Sequence, residues 1–159
     1  MNKLILIGRS ESGKTTLTQA LRGENIKYNK TQSVERDSFL IDTPGEYIQS
    51  KHLGGALAIY SYESDIVGLL ISADEPFSLF PPNITSMANR YVVGIVTGID
   101  LPNARPDRAE QWLKLSGCQK VFKVSSVTGE GVEELKEFIK TFDTVKYYKK
   151  LHNRFYNKW

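Results

Sequence analysis

The chain has 159 residues, 40% of them hydrophobic and 25% charged, with a net charge of +3; it is the size of one ordinary domain, which buries roughly 70% of its unfolded surface. No apolar run reaches the ~18 residues of a membrane-spanning helix, and residues 1–8 lead into a strand-like stretch without the apolar region or cleavage site of a secretory signal, so a soluble, cytoplasmic protein is expected. The single cysteine, Cys118, excludes an internal disulfide and reads as a small filler at a helix end, and His52 and His152 leave no metal cluster at ligand spacing.

In chain order, apolar runs that read as buried parallel strands fall at LILIG (4–8), SFLID (38–42), IVGLLIS (66–72), YVVGIVT (91–97) and KVFKVSS (120–126). Helices are predicted over 14–21, about 47–62, 78–87, 106–115 and 131–142, with Pro or Gly near many of their boundaries. Strand alternating with helix predicts a doubly wound α/β sheet.

GRSESGKTT, residues 8–16, follows the first strand and opens the first helix. Gly8, Gly13, Lys14 and Thr15 stand at P-loop spacing in the context that pattern requires. The two glycines permit a backbone that turns successive N–H groups toward an anion, and the helix adds its positive N-terminal end. Lys14 brings a point charge to the terminal phosphates, and the Thr15 hydroxyl suits a magnesium ion that keeps most of its waters. Arg9, Ser10, Glu11, Ser12 and Thr16 are nucleotide-binding candidates by position, and the pattern gives Arg9 and Glu11 no chemistry of their own.

IDTPG, residues 41–45, puts Asp42 at the end of the next strand, where an acid can hold the metal's water shell. The Gly45 N–H can bond a γ-phosphate and sense its presence. Pro44 and Gly45 alone read equally well as a plain turn.

The order GxxxxGKT, DTPG, TGID (97–100) and SSVTGEG (125–131) resembles the small translation-factor-related GTPases. NIKYNKTQSVE after the first helix, IDTPGEYI, SLFPP at 78–82 and AEQWLKLSGCQKVFKVSSVTGEGVEELKEFI resemble the EutP/PduV family within that class, over about residues 1–142. The resemblance implies a P-loop NTPase fold, a Ras-like three-layer α/β/α sandwich with a mostly parallel central sheet. It implies GTP/GDP and Mg2+ as ligands, and the company of bacterial microcompartments for ethanolamine or propanediol breakdown. It also implies a nucleotide-sensing switch before the second strand, with Thr31 closing over magnesium and Ser33 as a lesser substitute.

VTGID departs from the guanine-reading Asn/Thr-Lys-x-Asp motif, because Gly98 replaces the lysine while Thr97 and Asp100 remain. The Asp100 carboxylate can accept two hydrogen bonds from guanine that adenine does not offer, worth about 1.5–3 kcal/mol each, against about 1–2 kcal/mol for lost stacking. A loosened guanine site is expected, with selectivity kept and affinity reduced; a turn or helix-capping role for Asp100 is the alternative. Ser125 and Ser126 follow the last strand, where the Ser126 N–H can meet the guanine carbonyl.

Lys14 and Glu46 are the candidate catalytic residues. Glu46 stands where a Ras-like protein has a water-orienting Gln, and a carboxylate there repels a γ-phosphate although it can hold a water, so slow hydrolysis is expected unless a partner or potassium helps. A plain first-turn acid is the alternative for Glu46. Two other functions stay open: an ATP-dependent phosphotransferase acting on a carboxylate such as acetate, which the family resemblance implies and Gly98 tolerates, and a non-catalytic nucleotide-binding scaffold.

DTVKYYKKLHNRFYNKW, residues 143–159, departs from a compact GTPase ending and divides the chain into a nucleotide-binding domain (1–142) and an extension. Tyr147, Tyr148, Leu151, Phe155, Tyr156 and Trp159 follow helical spacing, with Lys149, Lys150, Arg154 and Lys158 largely opposite. Such a basic amphipathic helix packs back on its domain, pairs with a second copy as a homodimer, lies on an anionic surface, or docks on a partner, which the resemblance implies is a microcompartment shell or enzyme protein. Nucleic acid is disfavoured, because no basic patch accompanies it elsewhere.

Overall fold

The structure, a computed structural model, describes residues 2–23, 35–36, 40–42 and 53–157; for 35–36 and 40–42 the backbone pairing alone is described. The strands are β1 (Leu4–Ile7), β2 (Glu35–Arg36), β3 (Leu40–Asp42), β4 (Ile66–Ser72), β5 (Tyr91–Thr97) and β6 (Lys120–Lys123). They form one sheet in the order β2-β3-β1-β4-β5-β6, parallel except for β2, which runs antiparallel on β3. The helices are α1 (Lys14–Arg22), α2 (Leu53–Ser61), α3 (Pro106–Leu115), α4 (Val132–Thr141) and α5 (Thr144–Tyr156).

Alternation along β1 builds the three layers. Leu4 and Leu6 pack on one face with Leu17 and Leu21 of α1 and Leu135 and Ile139 of α4. Ile5 and Ile7 pack on the other with Leu53 and Leu57 of α2 and Ala109 and Leu113 of α3. Leu17 and Leu21 are fully buried, and each such side chain contributes about 1.5–3 kcal/mol of burial. Helices on both faces leave the carboxyl ends of the strands as the mouth where ligands of such sheets bind.

The predicted strands at 66–72 and 91–97 and the predicted helix at 106–115 coincide with β4, β5 and α3. The helix expected over 78–87 does not form; only a 3-10 turn, Ile84–Met87, follows Pro81 and Pro82. Two prolines supply no backbone N–H there, and Asn83 turns left-handed at φ 61°, so the chain cannot wind into the preceding turn.

The extension forms α5. Asp143 caps it by accepting the Lys146 N–H at 2.9 Å. Its first turns return to the domain: the Tyr147 ring meets Tyr91 edge-on at 4.9 Å. The Tyr91 N–H donates to the Tyr148 hydroxyl at 3.1 Å, and the Arg90 guanidinium lies 5.6 Å over the Tyr148 ring. Farther along, Phe155 and Tyr156 are 72% and 70% exposed. No helix among the described residues is long and apolar enough to cross a membrane.

Candidate functional site

The loop between β1 and α1 is built around two glycines that nothing larger can replace. A Cβ on Gly8 would stand 2.6 Å from Ser12 Oγ and 3.0 Å from the Leu70 carbonyl oxygen, and Gly13 caps α1 at φ +90°. Glu11 is left-handed at φ 64°, a conformation costing a non-glycine residue about 1–3 kcal/mol and concentrated at functional loops. The Ser12 N–H closes a turn onto the Arg9 carbonyl at 3.2 Å.

Lys14, 6% exposed, bridges this loop: its Nζ donates to the carbonyls of Gly8 at 2.8 Å and Arg9 at 2.9 Å. The first turn of α1 holds no acidic side chain, so its positive end is left for an anion. Arg9, Ser10, Thr15 and Thr16 are half-buried, Ser12 is buried and Glu11 exposed.

Two further loops close on the same mouth. The buried Thr97 at the end of β5 donates its Oγ1 proton to the Ser12 carbonyl at 2.5 Å. Gly98 turns left-handed at φ +66°, and Asp100 beyond it is exposed. Ser125, fully buried after β6, donates from Oγ to Asp100 Oδ1 at 2.8 Å while accepting the Thr128 N–H at 3.1 Å. Ser126 is half-buried beside it. Asp100 does not cap α3, whose N-cap position belongs to Arg105.

Residues that sequence patterns did not single out line the other side. After β4, Ser72 Oγ donates to Asp74 Oδ1 at 2.5 Å, and the Ser72 N–H donates to Glu75 Oε1 at 3.0 Å. The Arg9 guanidinium lies 5.7 Å over the Phe77 ring. Burial pushes the Glu75 carboxyl above its ordinary range, opposed by the Ser72 N–H and the charges of Arg9 and Lys14. The signal available in sequence is the ADE that ends an apolar run next to the P-loop strand.

Asp42 ends β3 in parallel register with Leu6, one strand over from the residues that enter the P-loop. Thr31, Gly45 and Glu46 lie outside the described residues. Among the described residues no group of three or more His, Cys, Asp or Glu side chains could hold a metal ion. Thr15 and Asp42 are residue types with hard oxygen donors, the kind a magnesium ion takes alongside phosphate oxygens.

The family model described as ethanolamine utilisation - propanediol utilisation, PduV-EutP, matches residues 1–141. The chain belongs to the PduV-EutP family. The propanediol utilization protein PduV of Citrobacter freundii is 44% identical over 142 residues, covering 87% of this chain and 93% of that one. The probable acetate kinase EutP of Escherichia coli (strain K12) is 28% identical over 142 residues, covering 87% and 89%. Among solved structures, Methanosarcina barkeri Roco2 RocCORdC bound to GDP aligns with a TM-score of 0.60 at 21% identity, covering 87% of this chain and 47% of that one. That likeness shows that this PduV-EutP chain has a P-loop-like α/β fold; the PduV-EutP match stops before α5.

Proposed function

We propose that the protein is a magnesium-dependent guanine-nucleotide switch with slow intrinsic hydrolysis, serving ethanolamine or propanediol utilisation. The single observation that carries this is the coupling of a formed phosphate loop to a carboxylate at the base position: Ser12 is tied to Thr97, and Asp100 is held by Ser125. Gly8, Gly13 and Lys14 with the neighbouring amides of Arg9, Ser10, Glu11, Ser12, Thr15 and Thr16 receive the phosphates. Thr15 and Asp42, with Thr31 in the triphosphate state, hold Mg2+, which when bound neutralises charge on the phosphate oxygens. Asp100 and the Ser125–Ser126 turn face guanine, and Glu46 leaves the attacking water poorly activated.

Calorimetric titration of nucleotide-free protein with GDP and separately with ADP, in magnesium, tests this. A GDP preference that collapses in Asp100→Ala supports it, and equal or tighter ADP binding removes Asp100 from the base-reading role.

The name carried by the Escherichia coli relative favours a second reading, transfer of phosphate from ATP to acetate on the same loop. Gly98 leaves the base loop without the lysine stem, which permits adenine. Acetyl phosphate formed from ATP and acetate, and lost in Lys14→Ala, would establish it.

The exposed Phe155 and Tyr156 and the basic Lys149, Lys150 and Arg154 on α5 suit docking on a microcompartment shell or enzyme protein, with pairing of two copies as the competing use. Co-sedimentation with purified shell protein, compared between the full chain and a Phe155→Asp variant, separates them.

A further inference from the structure

Glu75 is a buried carboxylate, 8% exposed, whose position is fixed from three sides. Its Oε1 accepts the Ser72 N–H at 3.0 Å, its own N–H donates to the Ser72 carbonyl at 3.0 Å, and Arg108 Nη2 of α3 donates to its carbonyl at 2.7 Å. The segment that carries it lies against the phosphate loop. Gly8 packs on Leu70 at the end of β4, and Arg9 stacks over Phe77 two residues past Glu75. The charges that bear on the carboxylate are Arg9 and Lys14 of the phosphate loop and Asp74 of its own turn, with Arg108 behind it on α3.

We propose that Glu75 is the counter-ion of the phosphate loop's cations and takes up one proton from solvent when phosphates displace it from that role. The inference rests on the phosphate-site reading of the loop. Arg9 and Lys14 favour the ionised form of the buried Glu75, together with the Ser72 N–H and against the burial that opposes it, and a polyphosphate claims the same two cations while bringing more negative charge than they carry. An anionic Glu75 beside it would meet net repulsion where screening by water is weak. A protonated Glu75 removes that repulsion and still offers Oε1 to the Ser72 N–H.

The sign follows from linkage. Burial has already raised the carboxyl, against the pull of Arg9 and Lys14, and bound phosphate raises it further. Proton uptake therefore accompanies binding at pH values above the ordinary carboxylate range. Nucleotide affinity weakens as pH climbs through the raised value.

The experiment is calorimetric titration with GDP and magnesium at about pH 6, roughly 1.7 units above an ordinary glutamate, in two buffers of unlike ionisation enthalpy. It compares the unsubstituted protein with Glu75→Gln, which keeps an acceptor oxygen for Ser72 and cannot ionise. The expected result is a larger proton uptake per GDP in the unsubstituted protein, with Glu75→Gln binding several-fold tighter and with a flatter pH profile. Equal proton counts and parallel profiles overturn the inference while leaving the phosphate site intact. Failure of the unsubstituted protein to bind GDP overturns both. Should Glu75→Gln melt without cooperativity, an NMR titration of the Glu75 carboxyl in the unsubstituted protein, with and without pyrophosphate, decides: an upward move of its midpoint supports the inference, and an unmoved midpoint overturns it.

Discussion

Thr97 donates its hydroxyl proton to the Ser12 carbonyl across 2.5 Å, deep in the protein, joining the end of β5 to the middle of the phosphate loop. Thr97→Val keeps the shape and deletes the donor. A buried carbonyl left unpaired costs about 1–3 kcal/mol, which for a chain of this size lowers the melting temperature by about 2–10 °C. The same change should weaken GDP binding, because the phosphate loop loses its brace. Scanning calorimetry with and without GDP reads both effects, and an unchanged melting temperature would show that the bond contributes nothing net.

Ser125→Ala removes the hydroxyl that holds Asp100 Oδ1 and anchors the Thr128 turn. The carboxylate is exposed and then rotates freely, so the preference for GDP over ADP is expected to drop toward parity, by about tenfold for one charge-assisted bond. Titration with both nucleotides measures it. A preference that survives intact would place the orientation of Asp100 elsewhere.

Restoring the lysine of the guanine-reading motif is expected to fail as a single change. Gly98 stands at φ +66°, and a Cβ there would lie 2.6 Å from Leu101 Cδ1 and 3.3 Å from Ser72 Oγ. Gly98→Lys should lose about 1–3 kcal/mol of stability, seen as a lower denaturation midpoint. Paired with Leu101→Ala, which clears the nearest carbon, part of that loss should return and GDP affinity should rise above that of the single variant.

Cys118 sits under α3, and burial pushes its thiol up to about 12 from an ordinary value of 9.0. A raised value in the folded state means that the fold holds the thiol proton more tightly than the unfolded chain does. That contribution is fully present below the ordinary value and is lost as pH rises toward about 12. Cys118→Ala should therefore show a shallower decline in denaturation midpoint over that alkaline range than the unsubstituted protein. Parallel declines in the two proteins would contradict it.

What sequence could reveal depended on whether the relevant neighbours are close along the chain. The apolar runs of β4 and β5 are bounded by turn residues, and Pro106 marks the start of α3, so those boundaries were legible. The P-loop is a contiguous stretch and was legible for the same reason. Residues 78–87 misled because an apolar pattern at helical spacing outweighed the Pro81–Pro82 pair that prevents winding. Glu75 and Phe77 went unseen because their importance arises from β4 lying beside β1, a pairing between segments some sixty residues apart. The sequence named Thr97 and Asp100 but not Ser12 and Ser125 as the groups that hold them, since each partnership joins loops that follow different strands. Thr31, Gly45 and Glu46 lie outside the described residues, so the proposed switch and water position rest on the sequence.

β5 carries the Tyr91 contact with α5 at its first residue and Thr97 at its last. Seven extended residues span about 23 Å, so the strand works as a spacer rod between the tail and the nucleotide mouth. A molecule gripped by its terminal turns on an assembly surface keeps its opposite pole turned toward solvent. Under the proposed function, nucleotide exchange at the mouth and docking through α5 therefore engage opposite ends of one strand, and the first does not require release of the second.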